Sequence, residues 1–156
     1  MKTFYFEKDI YIERPVSEVF DFFSRAENLE KVTPSQLQFQ ILTPLPIIMK
    51  AGTIIDYKLK LHRIPLSWKT EISEWDPPHR FTDIQVKGPY RKWIHQHIFE
   101  NSGSGTRMKD MLEYAIPAGF LSSFINQLLV RKDIESIFRY REKKYREIFQ
   151  IPTDHQ

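Results

Sequence analysis

The chain has 156 residues, 41% apolar and 28% charged, with a formal net charge of +3 and no cysteine. That length suits one domain with its own core, and the missing thiols exclude disulfide frameworks, thiolate zinc sites and a cysteine nucleophile. Only five glycines are present, with no GxGxxG or Walker-type motif, so no phosphate-cradling loop is expected.

The N-terminal stretch Met1–Asp9 carries charges where a signal peptide needs an apolar core, and a cytoplasmic location is the default expectation. Phe4, Phe6, Ile10 and Ile12 alternate with Tyr5, Glu7, Asp9 and Tyr11, which predicts a first strand with one buried face. Pro15 suits a first helical turn, and Val16, Val19, Phe20 and Phe23 keep the spacing of an amphipathic helix. A second short helix is expected from Ala26 to Lys31, ending before Pro34.

The pattern then changes to period two. Gln36–Leu42 reads as a strand, as do Ile55–Leu61 and Leu66–Ile72. Pro77-Pro78 turns the chain into Phe81–Val86, Gly88-Pro89 into Trp93–Glu100, and the tract Asn101–Gly105 into Met108–Ile116. Short connections make this an antiparallel meander. Beyond Pro117 and Gly119 one long helix is expected from Phe120 to Phe149, about 45 Å at 1.5 Å per residue. A single domain, residues 1–156, follows.

Two stretches carry no charge, Val32–Met49 with 18 residues and Tyr114–Val130 with 17. Prolines and polar side chains interrupt both, so no transmembrane helix is expected. Pro44–Met49 is an apolar loop that suits a cavity cap, a membrane contact or packing on a sheet edge. The basic excess sits in Arg131–Glu147, where seven basic residues face four acidic ones. A solvated helix face accounts for it, and no nucleic-acid partner is expected.

Strand, two short helices, six strands and a long helix, in that order, resemble the helix-grip fold of the START/SRPBCC superfamily. Its members include plant pathogenesis-related allergens, polyketide cyclases and lipid-transfer domains. Arg14–Phe23 is similar to the helix entry of bacterial members. Trp75-Asp76-Pro77-Pro78, Phe81-Thr82-Asp83, Gly88-Pro89-Tyr90, Trp93–His97 and Gly105-Thr106 with Asp110 resemble one bacterial subgroup. The resemblance implies an α+β fold: a curved seven-stranded antiparallel sheet around the C-terminal helix, with a cavity between them.

Register parity suggests what faces that cavity. Met108, Asp110, Leu112, Tyr114 and Ile116 alternate with charged positions and should point inward, as should Trp93, His95, His97 and Phe99. Pairing Phe99 with Met108 sets His97 opposite Asp110 and His95 opposite Leu112; a two-residue slip sets His95 opposite Asp110. Phe81, Asp83 and Gln85 extend the patch, with Asp83 beside His95. Tyr57, Trp68 and Thr70 lie further round, and Phe124 is the helix aromatic expected to touch a ligand. His62 and His79 are expected at the surface, and His155 lies in the tail.

Apolar walls with a polar band of Asp83, Gln85, His95, His97 and Asp110 admit four explanations. The band is a structural network, or it orients the polar group of a ligand, or His95 or His97 with Asp110 does acid–base chemistry, or His95-x-His97 with an aspartate holds a metal. The favoured reading is a carrier or sensor for a small, partly hydrophobic molecule, without cofactor or metal. Its ligand-binding residues are Tyr57, Trp68, Asp83, Gln85, Trp93, His95, His97, Asp110, Tyr114 and Phe124. The alternatives are a cyclase- or hydrolase-type enzyme using His95, His97 and Asp110, and a protein-interaction module with a filled cavity. Nothing in the sequence sets the oligomeric state.

Overall fold

The computed structural model describes residues 1–149; His155 lies outside them. Strand β1 (Phe4–Ile12) leads into helices α1 (Val16–Phe23) and α2 (Asn28–Lys31). Strands β2 (Gln40–Ile41), β3 (Ile54–Leu61), β4 (Ile64–Asp76), β5 (Arg80–Lys87), β6 (Lys92–Ser102) and β7 (Gly105–Ala115) follow. After β7 comes a helical segment made of α3 (Ser122–Ile125), a π-helical stretch (Asn126–Val130) and α4 (Arg131–Ile148). All seven strands form one antiparallel sheet in the order β1-β7-β6-β5-β4-β3-β2. Among the described residues no helix is long and apolar enough to cross a membrane.

The expected element order is present, and the departures have local causes. Gln36–Leu42 is not a strand throughout: Ser35–Leu37 makes a 3-10 turn after Pro34, and Gln38 is left-handed at φ 46°. Only Gln40 and Ile41 then pair with β3. His62 and Arg63 both have positive φ and close a two-residue hairpin between Leu61 and Ile64. Their backbone matches the primed turns that suit twisted strands. His62 therefore belongs to the turn, where its Nε2 meets Asp133 of α4 at 2.9 Å.

The long helix is interrupted rather than continuous. A π-helical stretch inserts extra backbone per turn, so one helical period cannot describe both sides of it. Ile134, Phe138 and Tyr145 are buried as the spacing predicts, whereas Phe124, Leu128 and Leu129 remain exposed. Asn126, at the start of that stretch, accepts a hydrogen bond from the Tyr114 hydroxyl. Arg131 donates to the backbone oxygen of Tyr5 on β1 at 2.7 Å, and Lys8 pairs with Glu142 at 2.6 Å.

Two apolar clusters fill the interior. One joins Ile12, Val19, Phe20, Phe99 and Met108 to Tyr145 and Phe149. The other joins Phe6, Leu112, Tyr114 and Ile116 to Ile134 and Phe138. Along β7 the residue between Met108 of the first cluster and Leu112 of the second is Asp110, itself buried. A polar position thus divides the core.

Candidate functional site

The β6–β7 register pairs Phe99 with Met108, His97 with Asp110 and His95 with Leu112. The β5–β6 register pairs Asp83 with His95 and Phe81 with His97. The first of the two registers considered from the sequence is the one present. Since side chains alternate along each strand, these pairs put both imidazoles and both carboxylates on the inner face.

The four groups bond diagonally. His95 Nε2 lies 2.8 Å from Asp110 Oδ1, and His97 Nε2 lies 2.7 Å from Asp83 Oδ2. Because a carboxylate only accepts, each of those ring nitrogens is the donor. His95 Nδ1 is 3.9 Å from Asp83 Oδ2, beyond hydrogen-bond reach. His97 Nδ1 is 3.2 Å from Asp110 Oδ1 but is not aligned on it as a hydrogen bond. The two imidazole centroids are 3.8 Å apart, and Phe81 stacks on His97 at 4.2 Å and 14°.

Burial and pairing compete at each group. Burial opposes the charge on Asp110, yet the hydrogen bond from His95 and the close, positively charged His97 ring overcome it and hold the carboxyl well below the usual carboxylate range. Asp83 is likewise lowered, with burial outweighed by the His97 hydrogen bond and by the imidazole charges. Burial pushes His95 down, helped by the neighbouring His97 charge and only partly opposed by Asp110. Burial also acts against His97, but the close Asp110 carboxylate and the hydrogen-bonded Asp83 raise it to about 9. At neutral pH the cluster holds two carboxylates, one imidazolium and one neutral imidazole.

This cluster forms part of the wall of a cavity of about 190 Å³. The cavity is bounded by β3 to β6, by α4 and by the α1–α2 segment, and most of its lining is apolar. Tyr57, Trp68, Asp83, Trp93, His95 and His97 line it. Tyr57 stacks on Trp68 at 6.0 Å, and its hydroxyl is 3.0 Å from Thr70 Oγ1. Burial, with the charge on Asp83, raises the Tyr57 hydroxyl and keeps it neutral.

Four other sequence candidates stand apart from that lining. Asp110 lies behind the two imidazoles, 5% exposed, and holds both from the core side. Gln85 spends both ends of its amide on the backbone of Tyr90, at 2.8 and 3.1 Å. Tyr114 is fully buried, packing on Phe4 and donating to Asn126. Phe124 is 63% exposed on α3, ahead of the π-helical stretch. Of the other histidines, His62 and His79 are exposed, as expected.

Arg141 and Tyr90 are among the lining residues that lie outside the candidates read from the sequence. Arg141 lines the cavity from α4, with its guanidinium 5.3 Å from the Phe138 ring centroid. Its Nε and Trp68 Nε1 are buried donors without a hydrogen-bond partner among the described residues. The signal was in the helix spacing: Ile134, Phe138, Arg141 and Tyr145 share one face, so Arg141 must point toward the sheet. Tyr90 follows Gly88-Pro89 and packs on Trp68 at 5.6 Å and Trp93 at 4.7 Å.

Solved structures of the same fold cover most of the chain. TTHA0849 from Thermus thermophilus has a TM-score of 0.70 at 18% identity, covering 90% of this chain and 95% of that one. Ginseng major latex-like protein 151 from Panax ginseng has a TM-score of 0.69 at 11% identity, covering 96% and 99%. A norcoclaurine synthase point mutant from Thalictrum, in complex with a transition state analogue, has a TM-score of 0.65 at 14% identity, covering 94% and 96%. Identities this low establish a common fold and no common activity. No curated protein matches the sequence. The model of one family, however, matches residues 12–137, most of the chain from the end of β1 into α4. The chain belongs to the polyketide cyclase / dehydrase and lipid transport family.

Proposed function

We propose that this protein binds one compact, mostly apolar molecule carrying a hydrogen-bond acceptor or an anionic group. The observation that carries this reading is the cavity between sheet and α4, whose apolar lining is broken by buried donors, Trp68 Nε1 and Arg141 Nε among them, that have no partner among the described residues. Leaving such donors unpaired costs on the order of 1–3 kcal/mol each, a cost that an acceptor on a bound molecule removes. Family membership supports hydrophobic ligand binding in general. The volume narrows the class. A cavity of about 150 Å³ takes benzene, so about 190 Å³ suits one substituted ring better than an extended acyl chain.

Native mass spectrometry of freshly purified protein, followed by thermal shift with single-ring carboxylates and phenols, tests the reading. Retained mass, or a melting temperature raised by such compounds, supports it. Clean spectra together with no shift from the whole set overturn it.

A second reading rests on His95. Asp110 fixes its proton on Nε2, so the ring is neutral with a free lone pair on Nδ1. A neutral imidazole so held can take a proton from a bound molecule. The Thalictrum synthase is an enzyme built on the same fold. This reading predicts turnover that His95→Gln abolishes while ligand binding persists.

A further inference from the structure

The cluster has a feature that ligand orientation does not need: its donor atoms converge on one another. One ligand atom each from Asp83, His95 and His97 lie within 4.8 Å of each other. The two Asp83 Oδ2 distances are 2.7 Å to His97 Nε2 and 3.9 Å to His95 Nδ1. Donors bonded at about 2.0–2.1 Å in a tetrahedral site stand roughly 3.3 Å apart, between those two values. All three residues line the cavity, and Asp110, which does not, sits behind both rings.

We propose that Asp83, His95 and His97 bind one divalent first-row transition-metal ion, with its remaining position open to the cavity. Asp110 is the positioning residue. It accepts from His95 Nε2 at 2.8 Å and lies 3.2 Å from His97 Nδ1, so it braces both rings from behind. The His95 bond leaves the Nδ1 lone pair of that ring on the Asp83 side, where His97 Nε2, once it gives up its proton, presents a second one. A carboxylate behind a ligating imidazole is the usual outer support of such sites.

Charge agrees with geometry. Two carboxylates carry a charge of −2, which one divalent ion held by neutral rings cancels. Arg141 reaches the same region from α4 and helps lower Asp83. Once an ion neutralises the carboxylates, that guanidinium is left to draw an acceptor or anion from the cavity toward the open position. Two nitrogens and one oxygen suit zinc or iron(II) rather than calcium or magnesium.

The test uses the full chain after treatment with chelator, titrated with cobalt(II) at pH 8 and then with zinc. Expected are one ion per chain, a visible absorption band of low-coordinate cobalt, and its loss when zinc displaces it. His97→Phe and Asp83→Asn should each weaken binding about 100-fold or more with circular dichroism unchanged. His62→Gln and His79→Gln should leave binding intact. Asp110→Asn should weaken it about 10–100-fold and shift the cobalt band, a spectral change that loss of packing alone does not produce. Absence of stoichiometric binding overturns the proposal, as does unaltered binding by Asp83→Asn. If the core variants do not fold, nitrogen NMR of the natural chain decides: zinc must move His95 Nδ1 and His97 Nε2, and unmoved signals reject the site. Failure here leaves the ligand reading standing, because shifts caused by single-ring compounds in metal-free protein do not need the ion.

Discussion

His97 stands directly across from Asp110 in the β6–β7 register, yet Asp110 takes its short 2.8 Å hydrogen bond from His95, two residues away. The partner left over is Asp83, which faces His95 across β5–β6 but accepts from His97 at 2.7 Å. Each aspartate therefore lies near both rings, and the four side chains act as one unit. Removing either carboxylate should leave charge uncompensated in the core. Asp110→Asn is expected to lower unfolding free energy by about 3–5 kcal/mol in urea titrations. The double variant with His97→Gln should cost clearly less than the sum of the single costs.

Stability should depend on pH through His97. Its value in the folded chain, about 9, lies above the ordinary histidine value of 6.5. That rise contributes stability fully present below pH 6.5 and lost as pH climbs through about 9. The size is about 3 kcal/mol, since each pH unit between the two values is worth about 1.4 kcal/mol. His95, lowered by burial, acts in the opposite sense and withdraws stability as pH falls below 6.5. Urea midpoints measured without metal should fall from pH 7 to pH 10, and Asp83→Asn should flatten that slope. A slope that persists unchanged in the variant would assign it to other groups.

Phe81 carries the stack that holds His97 flat against the wall, with Phe20 edge-on at 5.9 Å and Trp75 at 5.7 Å. Phe81→Ala should cost about 3–5 kcal/mol by cavity formation. Phe81→Leu should recover much of that stability without restoring the ring face. Comparing the His97 midpoint in the leucine variant with that of the natural chain, by NMR, separates packing from stacking on the imidazolium: a lower midpoint is expected.

The link between His62 and Asp133 offers a contrast. Its imidazole is 62% exposed, so the pair contributes little. His62→Gln is expected to change stability by less than about 1 kcal/mol. A larger loss in thermal unfolding would show that the hairpin is fastened to α4 more firmly than an exposed pair allows.

Much of this arrangement was legible in the sequence because strands encode faces by alternation. Once Phe99 is set against Met108, the positions of His95, His97 and Asp110 follow, and Asp83 follows from the neighbouring hairpin. What alternation cannot say is which imidazole bonds which carboxylate, since direct and diagonal partners are both in reach. Gln85 shares a face with Asp83, but the tight turn at Gly88-Pro89 brings the Tyr90 backbone against its amide first. The helix was less legible. Phe124 and Phe138 look equivalent when one period is run through both, and the π-helical stretch between them removes that equivalence. Arg141 was readable by the same period that found Phe138, but a basic residue among six others in that segment reads first as a solvated face.

An open sheet, unlike a closed barrel, has two ends. At one of them Arg131 occupies the Tyr5 backbone oxygen and Lys8 pairs with Glu142, so α4 is fastened across the margin where another strand could add. At the other, β2 is only two residues long, and Lys58 and Lys60 are exposed on the strand beside it. A helix fastened over one margin and a short strand beside lysines at the other are devices by which natural sheets avoid growing edge to edge into aggregates. Arg131 and Lys8 thus guard the colloidal behaviour of the molecule as well as its fold.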